Sequence, residues 1–208
     1  MDNNFNRVQL CGTVDSAPAL SHVNHGVSFY KFTLAVERLS GLADKLTVIA
    51  AQPLLESAAI REGDTVTVRG QLRSFNNKSG QGSRLVISVF AHALEKGGDT
   101  PFNLIQLSGI LCKPPVLRRT PLGREISDII LAVNRRYGRA DYLPCIAWGA
   151  VAQQAAAMTT GDRLTIEGRV QSRTYTKQLE TGSEERTAFE VSVMQLVEET
   201  EDPNVERS

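Results

Sequence analysis

The sequence predicts an all-β protein made of two tandem five-stranded barrels, each with one short helix. Three observations support this prediction. The second half of the chain matches the first half along most of its length. The second copy consists largely of short runs rich in β-branched or alternating apolar residues, which are typical of strands. An alanine-rich run between the third and fourth of these favours a helix.

The repeat begins at an offset of 97 residues (103 − 6), which aligns Asn6–Gly12 with Asn103–Gly109. The offset becomes 98 in the middle of the copy (161 − 63). Near the end we take it as 104, which pairs Ser88-Val89 with Ser192-Val193. Insertions confined to two places are typical of two copies of a whole domain.

The repeat divides the chain into two domains. We expect a first domain over residues 1–96, a linker over residues 97–101 and a second domain over residues 102–197. Glycine and proline in the linker are typical of a short connection. Residues 198–208 carry five acidic side chains and one basic side chain, and they are expected to form an acidic disordered tail.

The order of elements narrows the fold further. In the second domain we expect strands near residues 103–111, 125–135, 141–148, 162–175 and 186–197, with the alanine-rich run at residues 150–158. Three strands, a helix and a hairpin follow the order of an OB barrel, a small Greek-key barrel that often binds oligonucleotides. On this order alone, other five-stranded barrels remain possible.

Three stretches of the second domain carry a more specific signal. They are Leu131–Arg136 (LAVNRR), Asp141–Gly149 (DYLPCIAWG) and Gly161–Tyr175 (GDRLTIEGRVQSRTY). In this order and at this spacing they resemble motifs of the bacterial single-stranded DNA-binding protein (SSB) family, and the chain resembles a tandem member with two OB-fold domains. The resemblance implies sequence-nonspecific binding of single-stranded DNA in DNA replication, recombination or repair.

The resemblance also implies a platform of aromatic side chains on which bases stack. The matching positions are Tyr142 and Trp148 on the third strand, Tyr175 after the fourth strand, and Tyr137 beside Gly138. For Tyr142 and Trp148, the spacing in the sequence agrees with a shared platform. Tyr142 and Trp148 are six positions apart, so they share one face of a regular strand.

Basic residues beside this platform are expected to contact phosphates. One face of the fourth strand presents Arg169, Gln171, Arg173 and Tyr175, opposite an apolar face. Such a surface suits bases that stack while cations meet phosphates. The predicted basic residues of the second domain are Arg135, Arg136, Arg139, Arg169, Arg173 and Lys177.

The first domain lacks this platform at the aligned positions. In place of Tyr142, Trp148, Tyr137 and Tyr175 it has Lys45, Ala51, Ser40 and Asn77. Phe75, which aligns with Arg173, lies on the outward face of the predicted fourth strand with Arg73 and is expected to replace the platform in part. Both residues are expected to contact nucleic acid. We therefore expect weak stacking and an auxiliary or scaffolding role for this domain.

Composition and charge are less informative. The formal net charge is zero, and the two domains each carry about +2 when residues 1–98 and 99–197 are summed (10 − 8 and 12 − 10). This balance is compatible with phosphate binding but does not argue for it. No run approaches the roughly 18 apolar residues of a membrane helix, and the start lacks an export signal, so a cytoplasmic protein is expected.

No catalytic or metal-binding pattern is present. The histidines His22, His25 and His92 have no nucleophile or metal-ligand grouping near them in the sequence, so we expect no enzymatic activity, no cofactor and no metal. The cysteines have no CxxC or Cys/His spacing, and Cys11, Cys112 and Cys145 are expected to be buried small residues.

By resemblance, the expected partner is single-stranded DNA, and the expected assembly is a homodimer with four OB domains. First strands, such as Val8–Gly12 and Ile105–Gly109, are expected to pair across interfaces. No membrane partner is expected, and recruitment of replication or repair proteins stays open because the tail lacks the family's hydrophobic tip.

An alternative function is a protein-interaction OB module, similar to the primosomal relatives of the family, with secondary nucleic-acid binding. The altered first domain favours this alternative, and the aromatic set of the second domain opposes it. Stacking platforms accept RNA as well as DNA, so the sequence does not distinguish them.

Overall fold

The computed structural model describes residues 5–77, 84–135, 138–179 and 182–197. The first half contains β1 (Asn6–Val14), β2 (Ala19–Asn24), β3 (Val27–Glu37), β4 (Ala43–Ala51), α1 (Gln52–Ala58), β5 (Thr65–Asn76) and β6 (Leu85–Lys96). The second half contains β7 (Phe102–Leu111), β8 (Val116–Arg119), β9 (Glu125–Asn134), β10 (Ala140–Trp148), α2 (Gly149–Ala156), β11 (Arg163–Leu179) and β12 (Gly182–Leu196). The predicted all-β class, with one short helix in each half, is confirmed.

The strands form two OB-like barrels that follow the same order. The pairing order is β2-β3-β4-β6-β5-β1-β7-β11-β12-β10-β9-β8, and additional pairings of β3 with β1 and of β7 with β9 close each half. Each barrel therefore has the five expected strands and one further edge strand, β2 or β8. All residues of these two edge strands are exposed, so they lack the buried alternation by which the other strands were predicted.

Barrel closure requires glycine at equivalent points of the two first strands. A Cβ atom at Gly12 would collide with the carbonyl oxygen of Ala35, and one at Gly109 would collide with that of Ala132. Glycine lets β1 and β7 cross close to the neighbouring strand, where each barrel closes. This explains why these glycines match in the repeat.

Each barrel encloses its own apolar core. In β4 and β10, alternate residues are buried, and the fully buried Leu46 and Leu143 occupy equivalent places. The short helix α2 adds Ala152 and Ala155 to the core of the second barrel. No helix in the described ranges has the length and hydropathy needed to cross a membrane.

The first strands of the two barrels pair with each other within the chain. β1 and β7 are antiparallel, with a register that runs from Asn6 opposite Leu107 to Cys11 opposite Phe102. The two barrels therefore share one continuous twelve-stranded sheet. The first strands were expected to pair across the interfaces of a homodimer; in the structure they pair with each other and join the two halves of one chain.

The predicted offset at the end of the repeat is wrong. Val89 pairs with Val48, and Val191 pairs with Cys145, the residue equivalent to Val48. The offset between β6 and β12 is therefore 102 residues (191 − 89) and not 104. A shift of two residues keeps each side chain on the same face of the strand. The match of the two Ser-Val dipeptides therefore fitted the strand pattern although the register was wrong. The true counterpart of Ser88 is Glu190 (190 − 88).

Candidate nucleic-acid interface

The third barrel strand of the second domain, β10, presents two aromatic side chains on its outer face. Tyr142 is 53% exposed and Trp148 is 40% exposed. The residues between them that point inward, Leu143, Cys145 and Ala147, are buried. The prediction that Tyr142 and Trp148 share a face is confirmed.

The next candidate residues lie on β11, which pairs with β12. Arg169, Gln171 and Tyr175 are half-buried and Arg173 is exposed, while Val170 between them is in the core. The guanidinium carbon of Arg173 lies 5.8 Å from the centroid of the Tyr175 ring. This is within cation–π distance, and the side chain of Tyr175 stays partly exposed.

A carboxylate that the sequence alignment missed lies on the same face. Glu190 of β12 is directly opposite Gln171, between the positions of Arg169 and Arg173 on β11. Burial raises the pKa of Glu190, with a further contribution from Asp128, while Arg173 and Arg118 act in the opposite direction. Glu190 therefore places a carboxylate between two cations on the outer face of the second domain.

Arg135, a predicted phosphate-binding residue, contacts a buried carboxylate. Its Nε donates a hydrogen bond of 2.6 Å to Oδ2 of Asp141, which is 0% exposed, and its Nη2 contacts Oδ1 of the same residue. The Nη2 group also donates a hydrogen bond of 3.0 Å to the carbonyl oxygen of Ser74, in the first domain. Arg135 therefore lies at the domain boundary.

Arg73, predicted in the first domain, reaches the same carboxylate from the other side. Its Nη1 lies 3.2 Å from Oδ2 of Asp141. The adjacent Ser74 donates its backbone N–H to Oδ1 of Asp141, and its hydroxyl accepts a hydrogen bond of 2.8 Å from the backbone N–H of Tyr142. Two guanidinium groups and a serine thus surround one carboxylate beside a candidate stacking residue.

An equivalent set of contacts joins the domains at a second place, where the buried aspartate belongs to the first domain and the serine to the second. Asp44, which is 1% exposed, binds Arg38 of its own domain and accepts a hydrogen bond of 2.8 Å from the backbone N–H of Ser172. Nη2 of Arg38 donates a hydrogen bond of 3.3 Å to the carbonyl oxygen of Ser172. The two domains are therefore related by an approximate two-fold arrangement, which each aspartate reinforces.

The remaining predicted site residues are distributed as follows. Phe75 is 52% exposed on β5, and Arg139 is exposed just before β10. Arg136 and Tyr137 lie outside the described residues, as does the predicted tail, and the side chain of Lys177 is likewise not described.

The first domain carries an aromatic row that sequence reasoning missed, formed by His22, Phe29, Phe90 and His92. The rings of His22 and Phe29 are stacked with centroids 5.0 Å apart, and those of Phe29 and Phe90 are 5.6 Å apart. His92 meets Phe90 edge-on at 5.6 Å, and the guanidinium carbon of Arg73 is 6.0 Å from the centroid of Phe90. The four residues come from three strands, so no local sequence pattern predicts that their rings meet.

No metal centre is formed by the described residues, since no group of three or more His, Cys, Asp or Glu side chains is placed to hold an ion. Cys11 and Cys145 are buried, as expected. Cys112 is only half-buried because it follows the end of β7, so the expectation for this residue is wrong.

Comparison with known proteins adds independent information. The model of the single-strand binding protein family matches residues 102–197. The single-stranded DNA-binding protein of Thermus thermophilus is 26% identical over 234 aligned positions, which cover 98% of this chain and 88% of that protein. Single-stranded DNA-binding protein B of Bacillus subtilis is 36% identical over 81 residues, covering 36% of this chain and 72% of that protein.

Solved structures show the same architecture. The structure of the wild-type single-stranded DNA-binding protein from Thermus aquaticus superimposes with a TM-score of 0.77, covering 96% of this chain and 95% of that chain. The sequence identity is 24%, so this likeness concerns the fold.

Proposed function

Because the chain belongs to the single-strand binding protein family, we propose that it binds single-stranded DNA without sequence preference, mainly through its second domain. The observation that carries the proposal is the outer surface of the second domain, where Tyr142 and Trp148 of β10 are exposed and Tyr175 of β11 lies beside Arg173. Each base stacked on an aromatic ring contributes about 1–3 kcal/mol, whatever its identity, which suits binding without sequence preference.

In this proposal the basic residues have two different tasks. Arg169, Arg173 and Arg139, with Arg136 and Lys177, meet the phosphates. Arg135 and Arg73 direct donors at Asp141, so they chiefly position the strand that carries Tyr142. A guanidinium engaged with a buried carboxylate contributes less to phosphate binding than an exposed one, because moving it would leave that charge unpaired.

The proposed domain division is the one expected from the repeat: residues 1–96, a linker at 97–101, and residues 102–197. The family match over residues 102–197 supports the second boundary. We further propose that two chains form a homodimer with four OB domains, since closed two-fold dimers are the commonest oligomers. Sedimentation equilibrium over a range of concentrations tests this assembly, and a monomer at every concentration would refute it.

Fluorescence of Trp148, the one tryptophan of the chain, tests the binding mode. We expect oligo-dT to quench its emission strongly and an equal-length duplex to have little effect, because only a single strand offers unpaired bases for stacking. Titration at low and high salt gives the number of phosphate contacts from the slope. An unchanged emission at micromolar oligo-dT would contradict the proposal and favour a protein-interaction module.

A further inference from the structure

We propose that the first domain has its own stacking surface for single-stranded DNA, the aromatic row, and that the strand runs from this row to Tyr142 of the second domain. This inference rests on the proposed function. It differs from the sequence-based expectation that the first domain stacks bases weakly, because it assigns the contact to residues that are not aligned with the platform of the second domain.

The first domain has an aromatic residue beside the position equivalent to Trp148, on the neighbouring strand. In the second domain Trp148 of β10 lies directly opposite Ile126 of β9. In the first domain the equivalent pair is Ala51 of β4 opposite Phe29 of β3. Directly opposed residues share a sheet face, so both domains place one aromatic side chain at this point of the outer face.

The small side chain of Ala51 accounts for the next contact. β4 separates β3 from β6 in the sheet, yet the rings of Phe29 and Phe90 lie 5.6 Å apart. On β4, Ile49 lies beside Phe90 and Ala51 lies beside Phe29, so the rings meet diagonally across the strand, where the methyl group of Ala51 leaves space. The replacement of tryptophan by alanine, which looks like a loss in the aligned sequences, therefore allows a wider aromatic surface.

Charge distinguishes this surface from its counterpart. Asp128 of the second domain lies opposite Ile146, and the residue that lies opposite Ile49 in the first domain is Lys31. Similarly, Glu190 is replaced by Ser88. At two positions where the second domain has carboxylates, the first domain thus has a cation and a neutral hydroxyl. This exchange favours an anionic occupant.

The row is continuous with the candidate interface of the second domain. The guanidinium carbon of Arg73 lies 6.0 Å from the centroid of the Phe90 ring, and its Nη1 lies 3.2 Å from Oδ2 of Asp141. Asp141 is the residue before Tyr142. Asp141 is shared with Arg135, so two cations accompany one carboxylate at the junction. A strand stacked on the row therefore meets a net positive charge on its way to Tyr142.

Moving the single tryptophan tests the row directly. In the full chain, Trp148→Phe removes the native fluorophore, and Phe29→Trp in that background places a new one in the row. Oligo-dT is expected to quench this tryptophan, while an equal-length duplex leaves it nearly unchanged. The matched control is Ser57→Trp in the same background, at an exposed position of α1, where no quenching is expected.

A charge reversal supplies a second test that spares the core. Lys31 is exposed, and Lys31→Glu reproduces the charge found at Asp128. We expect it to weaken oligo-dT binding about fivefold at low salt and to reduce the salt slope by about one. Arg61→Glu, an exposed reversal in the turn before β5, is expected to change affinity by less than about twofold.

The outcomes separate this inference from the proposed function. Quenching of Trp148 in the native chain without quenching at residue 29 would overturn the inference and leave the second-domain proposal intact. The absence of both would overturn both. Emission at residue 29 that follows protein concentration and not oligo-dT would identify the row as a contact between copies of the chain, which also overturns the inference.

Discussion

The hydroxyl oxygen of Ser74 in the first domain accepts a hydrogen bond of 2.8 Å from the backbone N–H of Tyr142 in the second domain. Ser74 is nearly buried, and its own N–H is bound by Asp141. Ser74 of the first domain thus forms hydrogen bonds with two successive residues of β10, the carboxylate of Asp141 and the N–H of Tyr142. The first domain thereby contributes to the position of a candidate base-stacking residue.

Ser74→Ala is expected to destabilise the protein and to weaken oligo-dT binding, because it leaves the N–H of Tyr142 without its acceptor. This hydrogen bond is partly buried, so the loss is expected towards the lower end of the roughly 1–3 kcal/mol that an unsatisfied buried group costs. Urea unfolding and Trp148 titration measure the two effects. Ser172→Ala is the matched control: the hydroxyl that it removes donates to Asp44, which keeps its bonds to Arg38 and to the N–H of residue 172. No backbone N–H loses its acceptor there, so a smaller loss is expected. Equal losses would contradict the special role of Ser74.

Asp141→Asn is expected to destabilise the protein by about 3 kcal/mol or more, since it leaves two guanidinium groups without their carboxylate. Asp44→Asn removes the partner of one arginine in the first domain, so it should cost less. Urea unfolding of the two variants provides the comparison. A larger loss for Asp44→Asn would show that the second cation at Asp141 is unimportant.

Removing the platform of the second domain should reduce binding more than removing the exposed phenylalanine of the first. Tyr175→Ala with Trp148→Ala is expected to cost about 2 kcal/mol or more in oligo-dT binding, at about 1–3 kcal/mol per stacked base. Phe75→Ala should cost less. Because Trp148 is lost, a labelled oligo-dT reports affinity, and circular dichroism verifies folding. Equal losses for both variants would refute this division.

We expect Glu190 to make DNA binding depend on pH. Its pKa is raised by burial, and an approaching phosphate raises the pKa further, so binding takes up a proton. Oligo-dT affinity should therefore fall as pH rises through the pKa of Glu190. Glu190→Gln should strengthen binding at neutral pH and flatten this dependence. Glu185→Gln, on the opposite face of β12, is the control that should change neither.

The same shift has a consequence for stability. A carboxyl whose pKa is raised on folding favours the folded state only while it is protonated, and this contribution is lost as pH rises through the folded-state pKa. Glu190→Gln should therefore raise the urea midpoint at neutral pH and leave it almost unchanged at about pH 4, where glutamate is largely protonated in the unfolded chain. A variant that is less stable at neutral pH would contradict the assignment.

The sequence predicted those parts of the interface that depend on one strand. Tyr142 and Trp148 share a face because side chains alternate along β10, and this alternation is visible in the residues themselves. The barrel order was likewise accessible, because the apolar runs and the alanine-rich run follow one another in the chain.

Features that depend on pairing between distant strands were not accessible in this way. The aromatic row joins residues of β2, β3 and β6, whose register is fixed only by the closed barrel. Glu190 was misplaced because a slip of two residues preserves the face pattern of a strand. The hydrogen bond from Arg135 to Ser74 joins two domains, so the sequence around either residue alone does not indicate it.

The pairing of β1 with β7 inside one chain also removes a constraint that symmetry imposes on evolution. Where identical chains build a two-fold contact, every substitution occurs on both sides at once. Here the two sides are encoded separately, so a serine at residue 74 can bind the strand carrying Tyr142, while Ser172 faces the strand carrying Lys45. The fused arrangement permits the two halves to specialise without losing the joint that holds them together.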